Sequence, residues 1–393
     1  MREVVIVEAL RSPNGRAVKG SFKDTRPDDL LAKVMKALLE KTQLEAKKLD
    51  DVIIGCAIPE MEQGMNVARL ASLLAGIPYT VPAMTINRFC SSGLQAIAIA
   101  AERIMAGQAD IILAGGVESM SLVPMEGRKH MHTPNLRLVE TYPEAYTPMG
   151  ITAENVAREF KVSREDQDKF AYQSHMKAAK AQEEGLFEEI VPIETTVITA
   201  QNGHVEKKEI TLDHDELVRK NTSLEKLATL PPAFMPGGMV TAGNSSPLTD
   251  GAAAVLLMAK DVAEALGYTP LVYYRGFQVA GVRPEIMGIG PVEAIPKALK
   301  KTGITLDDIE VIELNEAFAS QSVACIRELN LDEERVNPLG GAIALGHPLG
   351  CTGAYLTAKL IPQLRRRKGR PFGMVTMCIG GGQGAAGIFE VAS

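Results

Sequence analysis

Residues Asn87 to Ile104 read NRFCSSGLQAIAIAAERI, an apolar helical run that opens on a cysteine, two serines and a glycine. Cys90 stands at the threshold of that run. Its sulfur would lie near the free backbone N–H groups of a first helical turn, where the helix dipole favours negative charge. The thiolate is the nucleophilic form of cysteine, and such a position lowers its pKa. The local reading is a candidate nucleophile. The competing reading is a small apolar side chain packed at a helix end, a common place for a free cysteine.

The stretch has a counterpart far down the chain. Gly350-Cys351-Thr352-Gly353 opens a second helical run, and each run leads to a strand ending in glycines, Ile111 to Gly116 and Met374 to Gly380. Upstream of each lies a matching helix–turn–strand pattern. Lys36-Ala37-Leu38 precedes Leu49-Asp50-Asp51-Val52-Ile53-Ile54, and Lys297-Ala298-Leu299 precedes Leu306-Asp307-Asp308-Ile309-Glu310-Val311-Ile312. The amphipathic period followed by a β-branched run marks one α/β unit present twice. Between the copies, from about Ser119 to Asn244, the chain is polar and rich in prolines and charges, with a helical middle over Thr152 to Glu184. It reads as a loop-rich insertion, a common carrier of binding residues on a rigid scaffold.

The 393 residues are 46% hydrophobic and 23% charged, as in a soluble protein of two or more domains. A net charge of −6 gives no general affinity for nucleic acid or anionic membrane. The basic run Arg365 to Gly369 is read as a helix terminus. The N-terminal apolar run suits a first β-strand rather than a signal segment. No apolar stretch reaches membrane-spanning length, and the last residues, Val391-Ala392-Ser393, are not a peroxisomal tripeptide. A cytoplasmic location is the expectation. The five cysteines are scattered without a CxxC pair, which disfavours a disulfide framework or a zinc site. His130-Met131-His132 is too sparse a ligand set to imply a metal.

Three further elements accompany Cys90. Gly346-His347-Pro348 precedes the second helix, and if the halves pack about a pseudo-twofold axis, imidazole and thiol share one cleft. The alternative is a loop histidine bonded to backbone. Cys378 meets a glycine-rich turn, Gly380-Gly381-Gly382, whose backbone N–H groups suit an oxyanion. Gly382, Gly384 and Gly387 imitate a dinucleotide fingerprint, but only six residues follow Gly387, too few for the required helix and strand. Asn315, at the end of the strand Glu310 to Leu314, is a helix cap, a site residue, or both.

Taken in order, NRFCSSG, TAGNSSPLTDG, NEAF, GAIALGHPLG and CIGGGQG resemble the thiolase family along essentially the whole chain. The resemblance implies an α/β thiolase fold, with duplicated halves in a five-layered αβαβα body and an inserted loop domain. The domains would be 1–266, with the insertion at about 119–249, and 270–393. It implies a homodimer or homotetramer. It makes Cys90 the acylated nucleophile, His347 its activating base, and Cys378 the acid/base at the substrate α-carbon. Asn315 would serve one oxyanion hole and Gly380 the other. Arg219 and Ser246 would hold coenzyme A, a substrate rather than a cofactor. The implied activity is thiolysis of 3-ketoacyl-CoA in fatty-acid β-oxidation, with acetyl-CoA acetyltransfer in the condensing direction as the alternative. A cysteine hydrolase, a ketoacyl synthase and a non-catalytic CoA-binding protein fit less well. None of the three accounts for a second thiol in the last glycine loop.

Overall fold

The computed structural model describes residues 1–124, 134–201, 204–367 and 369–392. His130, His132 and Lys368, singled out above, lie outside them. The strands longer than two residues are, in chain order, β1 (Val4–Arg11), β2 (Asp51–Gly55), β3 (Ala83–Ile86), β4 (Ile111–Ser119), β5 (Ile193–Gln201), β6 (His204–Leu212), β7 (Thr249–Ala259), β8 (Val272–Gly281), β9 (Ile309–Leu314), β10 (Phe372–Ile379) and β11 (Gln383–Val391). The longer helices are α1 (Pro27–Thr42), α2 (Val67–Leu74), α3 (Ser92–Met105), α4 (Met149–Glu159), α5 (Arg164–Glu183), α6 (Gly290–Thr302), α7 (Ala319–Glu328) and α8 (Thr352–Arg366).

The repeat is visible in the strand order. In the first half, hydrogen-bonded neighbours run β3-β2-β4-β7-β1. In the second they run Val336-β9-β10-β11-β8, the third strand being reduced to a single parallel bridge between Ile312 and Val336. Order and direction match throughout: two parallel pairings, then two antiparallel ones. Among the described residues the half-sheets join edge to edge where β1 meets β8, at Val5–Tyr273 and Ile6–Val272.

Period-two alternation explains the layering. On β1, Val4 and Ile6 enter a central core while Val5 and Val7 enter an outer one. On β7, Val255 and Leu257 face the centre, and Leu256 and Met258 face outward. The outer core of the first half is closed by α1 and α2, and that of the second by α6 and α7. Helices α3 and α8 fill the centre, each with most of its residues buried. The result is the layered αβαβα body. The central helices meet at glycines. A Cβ on Gly93 would fall 2.7 Å from the Ala354 nitrogen, and one on Gly353 would fall 2.3 Å from the Leu94 nitrogen. Only glycine permits this approach.

The insertion is more regular than its composition suggests. Its expected helical middle is two helices, α4 and α5, separated by a turn with Lys161 at φ 53. Helix α5 begins at a capping box in which the Ser163 hydroxyl accepts from Asp166 N–H at 3.1 Å. Strands β5 and β6 form a hairpin that pairs only with itself. The basic run ends a helix as expected, with Arg365 and Arg366 in its last turn, but its glycine does not cap it. Helix α8 stops at Arg366 and Arg367 is already extended, so Gly369 is not its capping glycine. Among the described residues no helix is long and apolar enough to cross a membrane.

Candidate active site

Each central helix is entered through a tight turn, Phe89–Ser91 before α3 and Leu349–Cys351 before α8. The two turns pack on each other, and the first also packs on β10. Cys90 is therefore held where the halves converge. Phe89, just before it, sits at φ 43, a left-handed conformation that costs a non-glycine residue about 1–3 kcal/mol. Its N–H donates to Asn87 Oδ1 at 2.7 Å.

Burial pushes the Cys90 thiol up to about 11, and the Glu118 carboxylate acts in the same direction. The backbone N–H groups of Gly380 and of Cys90 itself donate toward the sulfur and pull the other way. The sequence-based expectation of a thiol lowered by its helix start is thus corrected. The amides are present, but removing the sulfur from water outweighs them. Cys90 rests as a thiol.

His347 follows Gly346, whose φ of 98 only glycine adopts freely. The His347 backbone N–H donates to Thr249 Oγ1 at 3.1 Å. Its Nδ1 lies 2.6 Å from Thr352 Oγ1, and its Nε2 lies 3.4 Å from Asn315 Nδ2. Burial lowers the imidazole to about 4, so it is neutral at physiological pH. Asn315 is fixed by its N–H to Thr376 O at 2.9 Å and by Gln321 Nε2 donating to its carbonyl at 3.3 Å. Its Oδ1 is buried without a partner. It is not a helix cap, because α7 begins four residues later.

Cys378 sits near the end of β10. Val375, Met377 and Ile379 turn to the central core, and Cys378 faces the opposite way, among Ala153, Val240, Met287, Ala317 and Phe318. Burial holds this thiol well above the ordinary range, with Cys90 the next cause, which places the two sulfurs within electrostatic reach. The following turn carries Gly381 and Gly382 at φ 77 and 81. Gly384 and Gly387 lie in β11, a strand where a dinucleotide fold needs a helix.

Ser246 joins this cluster, its N–H donating to Ala317 O at 3.0 Å. Arg219 stands apart. It lines an open groove of about 510 Å³ with Lys220 and Lys226, and its N–H donates to His175 Nδ1 at 3.2 Å. Two supporting carboxylates escaped the sequence reading. Glu118 is fully buried and collects the N–H groups of Ala57 and Gly350 at 2.8 Å and Gln63 Nε2 at 2.7 Å, bracing the His347 loop against the first half. Glu316 takes the Ser174 hydroxyl at 2.6 Å and Asn337 Nδ2 at 2.8 Å, fastening α5 beside Asn315. A carboxylate ending an otherwise apolar strand, as Glu118 does, was the available signal for the first.

A buried thiol with turn amides aimed at its sulfur, a neutral imidazole and a second thiol are brought together from both copies of a duplicated α/β unit, and that duplicated fold with its site between the halves defines the class. The profile described as thiolase, N-terminal domain, matches residues 4–261, and that of thiolase, C-terminal domain, matches residues 268–391. The chain is 58% identical to the 3-ketoacyl-CoA thiolase of Bacillus subtilis strain 168 over 393 residues, the full length of both. It superposes on the acetyl-CoA acetyltransferase of Bacillus anthracis with a TM-score of 0.89 at 42% identity, covering 100% of this chain and 99% of that one. The dimeric peroxisomal thiolase of Saccharomyces cerevisiae gives 0.88 at 43% identity, covering 100% and 98%. The chain belongs to the thiolase family.

Proposed function

We propose that this acyltransferase cleaves 3-ketoacyl-CoA with coenzyme A, releasing acetyl-CoA and an acyl-CoA shortened by two carbons. The observation that carries the reading is the pair of thiols on opposite halves: the turn that holds Cys90 packs on β10, the strand that carries Cys378, and the Gly380 amide donates toward the first sulfur. A hydrolase needs one thiol; a transferase returning the acyl group to a thiol has work for two.

The steps follow from the residues. His347 Nε2 takes the Cys90 proton as the sulfur attacks the 3-keto carbon. The C2–C3 bond breaks, leaving an acyl group on Cys90 and the enolate of acetyl-CoA. The Cys378 thiol gives its proton to the enolate carbon. Free coenzyme A then loses its thiol proton to the Cys378 thiolate and attacks the acyl carbonyl. Cys90 leaves and recovers its proton from His347. The Gly380 and Cys90 amides stabilise the oxyanion formed at the thioester of Cys90. Asn315, whose buried Oδ1 has no partner and can hold a water as that water donates onward, serves the other oxyanion together with His347 once Nε2 carries the proton. Arg219, Lys220 and Lys226 suit the phosphates of coenzyme A, and Ser246 its pantetheine arm.

We read the acyl range as broad. The stretch Tyr146-Thr147-Pro148-Met149-Gly150 sets a proline, rather than a polar side chain, just before Met149. The proline ends the loop as the residue before α4, with no side-chain polar group to commit the pocket to a short acyl chain. Met149 sulfur and the Phe89 ring lie 3.7 and 3.9 Å from where a Cβ on Gly380 would stand, giving an apolar approach to the thioester. Thiolysis rates from C4 to C16, with coenzyme A or water as acceptor, test the reading. Activity on C4 with none at C8 or C10 favours the acetyl-CoA acetyltransferase alternative, and water accepted as readily as coenzyme A sinks thiolysis altogether.

The oligomer is read as a homodimer. Strand β3 is a free sheet edge, and the chain around it exposes Met65 and Tyr79 at 93% and 81% and also Leu74. A bare edge flanked by apolar side chains is a template for pairing.

A further inference from the structure

The hydrogen bonds around His347 form a chain. Asn315 Nδ2 reaches Nε2 at 3.4 Å, Nδ1 reaches Thr352 Oγ1 at 2.6 Å, and Thr352 Oγ1 reaches the Pro348 carbonyl at 3.2 Å. A carbonyl only accepts, so all three bonds exist together in one direction alone. Asn315 donates to Nε2, Nδ1–H donates to Thr352, and the Thr352 hydroxyl donates to Pro348. Reversed, the chain loses both its first and its last bond, because an amide NH2 group cannot accept and a carbonyl cannot donate, and Nε2 carries a proton where it should take one.

The duplication supports the same direction. Thr352 is the counterpart of Ser92, 260 residues earlier, each being the first residue of its central helix. The Ser92 hydroxyl donates to Phe89 O at 2.7 Å and accepts from Arg88 N–H at 2.8 Å. There the direction is unambiguous, because a backbone N–H only donates. Hydroxyls that bond back to a carbonyl one turn earlier are common at such positions. That habit explains the Thr352–Pro348 bond but not the imidazole seated on the other side of the oxygen.

We propose that Thr352 is a positioning residue that fixes His347 in the tautomer protonated at Nδ1, so that Nε2 carries no proton and its lone pair, held only by the long 3.4 Å bond from Asn315, is the one that takes the Cys90 proton. Thr352 acts through His347 and touches no reacting atom. The proposal rests on His347 being the base, as read above.

Thr352→Val keeps the shape and removes the oxygen, Thr352→Ala serves should valine disturb the fold, and Thr352→Ser restores the hydroxyl. Acylation of Cys90 by acetyl-CoA at pH 7.5, followed by intact mass, should slow at least ~10-fold in the valine or alanine variant. That is less than the ~10⁴-fold caused by a wholly wrong tautomer in a serine triad, because a threonine holds the ring less firmly than a carboxylate. The serine variant should stay within about threefold of wild type. Alkylation of Cys90 by iodoacetamide at pH 10, where hydroxide removes the proton, should be unchanged in all three. Wild-type acylation in the valine and alanine variants would overturn the proposal. So would loss of alkylation at pH 10 alongside acylation, or a serine variant as slow as valine. A wild-type chain that acyl-CoA never acylates would instead remove the functional reading itself, so the two failures are distinguishable.

Discussion

At Cys90 two backbone amides and a carboxylate contend for the charge on one sulfur, and burial decides against the thiolate. The sign has a direct consequence. The thiolate is the basic form, so raising the thiol from 9.0 to about 11 leaves its thiolate fraction near pH 7 roughly a hundredfold below that of an ordinary cysteine. Iodoacetamide modification, mapped by peptide mass, should therefore climb with pH beyond 9, with its midpoint near 11. A plateau at pH 8 would show that the amides win after all. Selectivity for Cys90 should survive. It is 9% exposed against 0% for the other four cysteines, and each of those is also pushed above its ordinary value. Cys378→Ser should still take an acyl group on Cys90 but fail to exchange the α-protons of acetyl-CoA in deuterium oxide, since a serine hydroxyl is far too weak an acid for that step. Wild-type thiolysis by this variant would remove Cys378 from the mechanism.

Between elements, α3 and α8 approach each other closely through glycines on both helices. In Gly93→Ala the new methyl meets backbone, the Ala354 nitrogen at 2.7 Å and the Gly350 oxygen at 2.9 Å, and backbone yields little. A loss of about 1–3 kcal/mol is expected in denaturant melts, with activity falling further because both catalytic turns ride on that contact. Gly281→Ala, where a Cβ meets nothing within 4 Å, is the control and should stay within about 0.5 kcal/mol. An equal effect of the two would show that the helices can slide apart. The repeat behind this contact was legible because strand and helix periods recur in the same order in both halves. Cys90, His347 and Cys378 stood out because reactive side chains at glycine-rich junctions have little structural reason to be there. What local sequence does not carry is depth. The direction of the Cys90 shift depends on layers closing over it, and Asn315 reads as a cap until the helix is seen to start at Ala319. The β5–β6 hairpin was missed even though Asn202-Gly203, a favoured hairpin dipeptide, separates two runs rich in threonine and β-branched residues. The third strand of the second half, a lone bridge at Val336, leaves too short a pattern to read.

For the whole molecule, the β3 edge sets the expected assembly. Sedimentation should give a species near twice the 42.2 kDa chain mass, and Met65→Glu with Leu74→Glu should shift it toward the single chain. An unchanged dimer would place the interface elsewhere. The wiring of β1 has a consequence of another kind. Its ladder partner is β7, with Val4 opposite Ala259, and its other neighbour, β8, comes later still. Arg11, at the end of β1, waits for Glu189 and Asp215 to neutralise it. On a ribosome adding about 5–20 residues per second, the first strand is made roughly 13–50 s before any strand it can bind. For that interval the nascent chain carries an unpaired, valine-rich ribbon and an uncompensated guanidinium, so its birth depends on whatever shields emerging polypeptide. Synthesis in a translation system stripped of holding factors should yield aggregate that incorporates the N-terminal strand, while denatured full-length chain, with all its partners present at once, should refold with less loss.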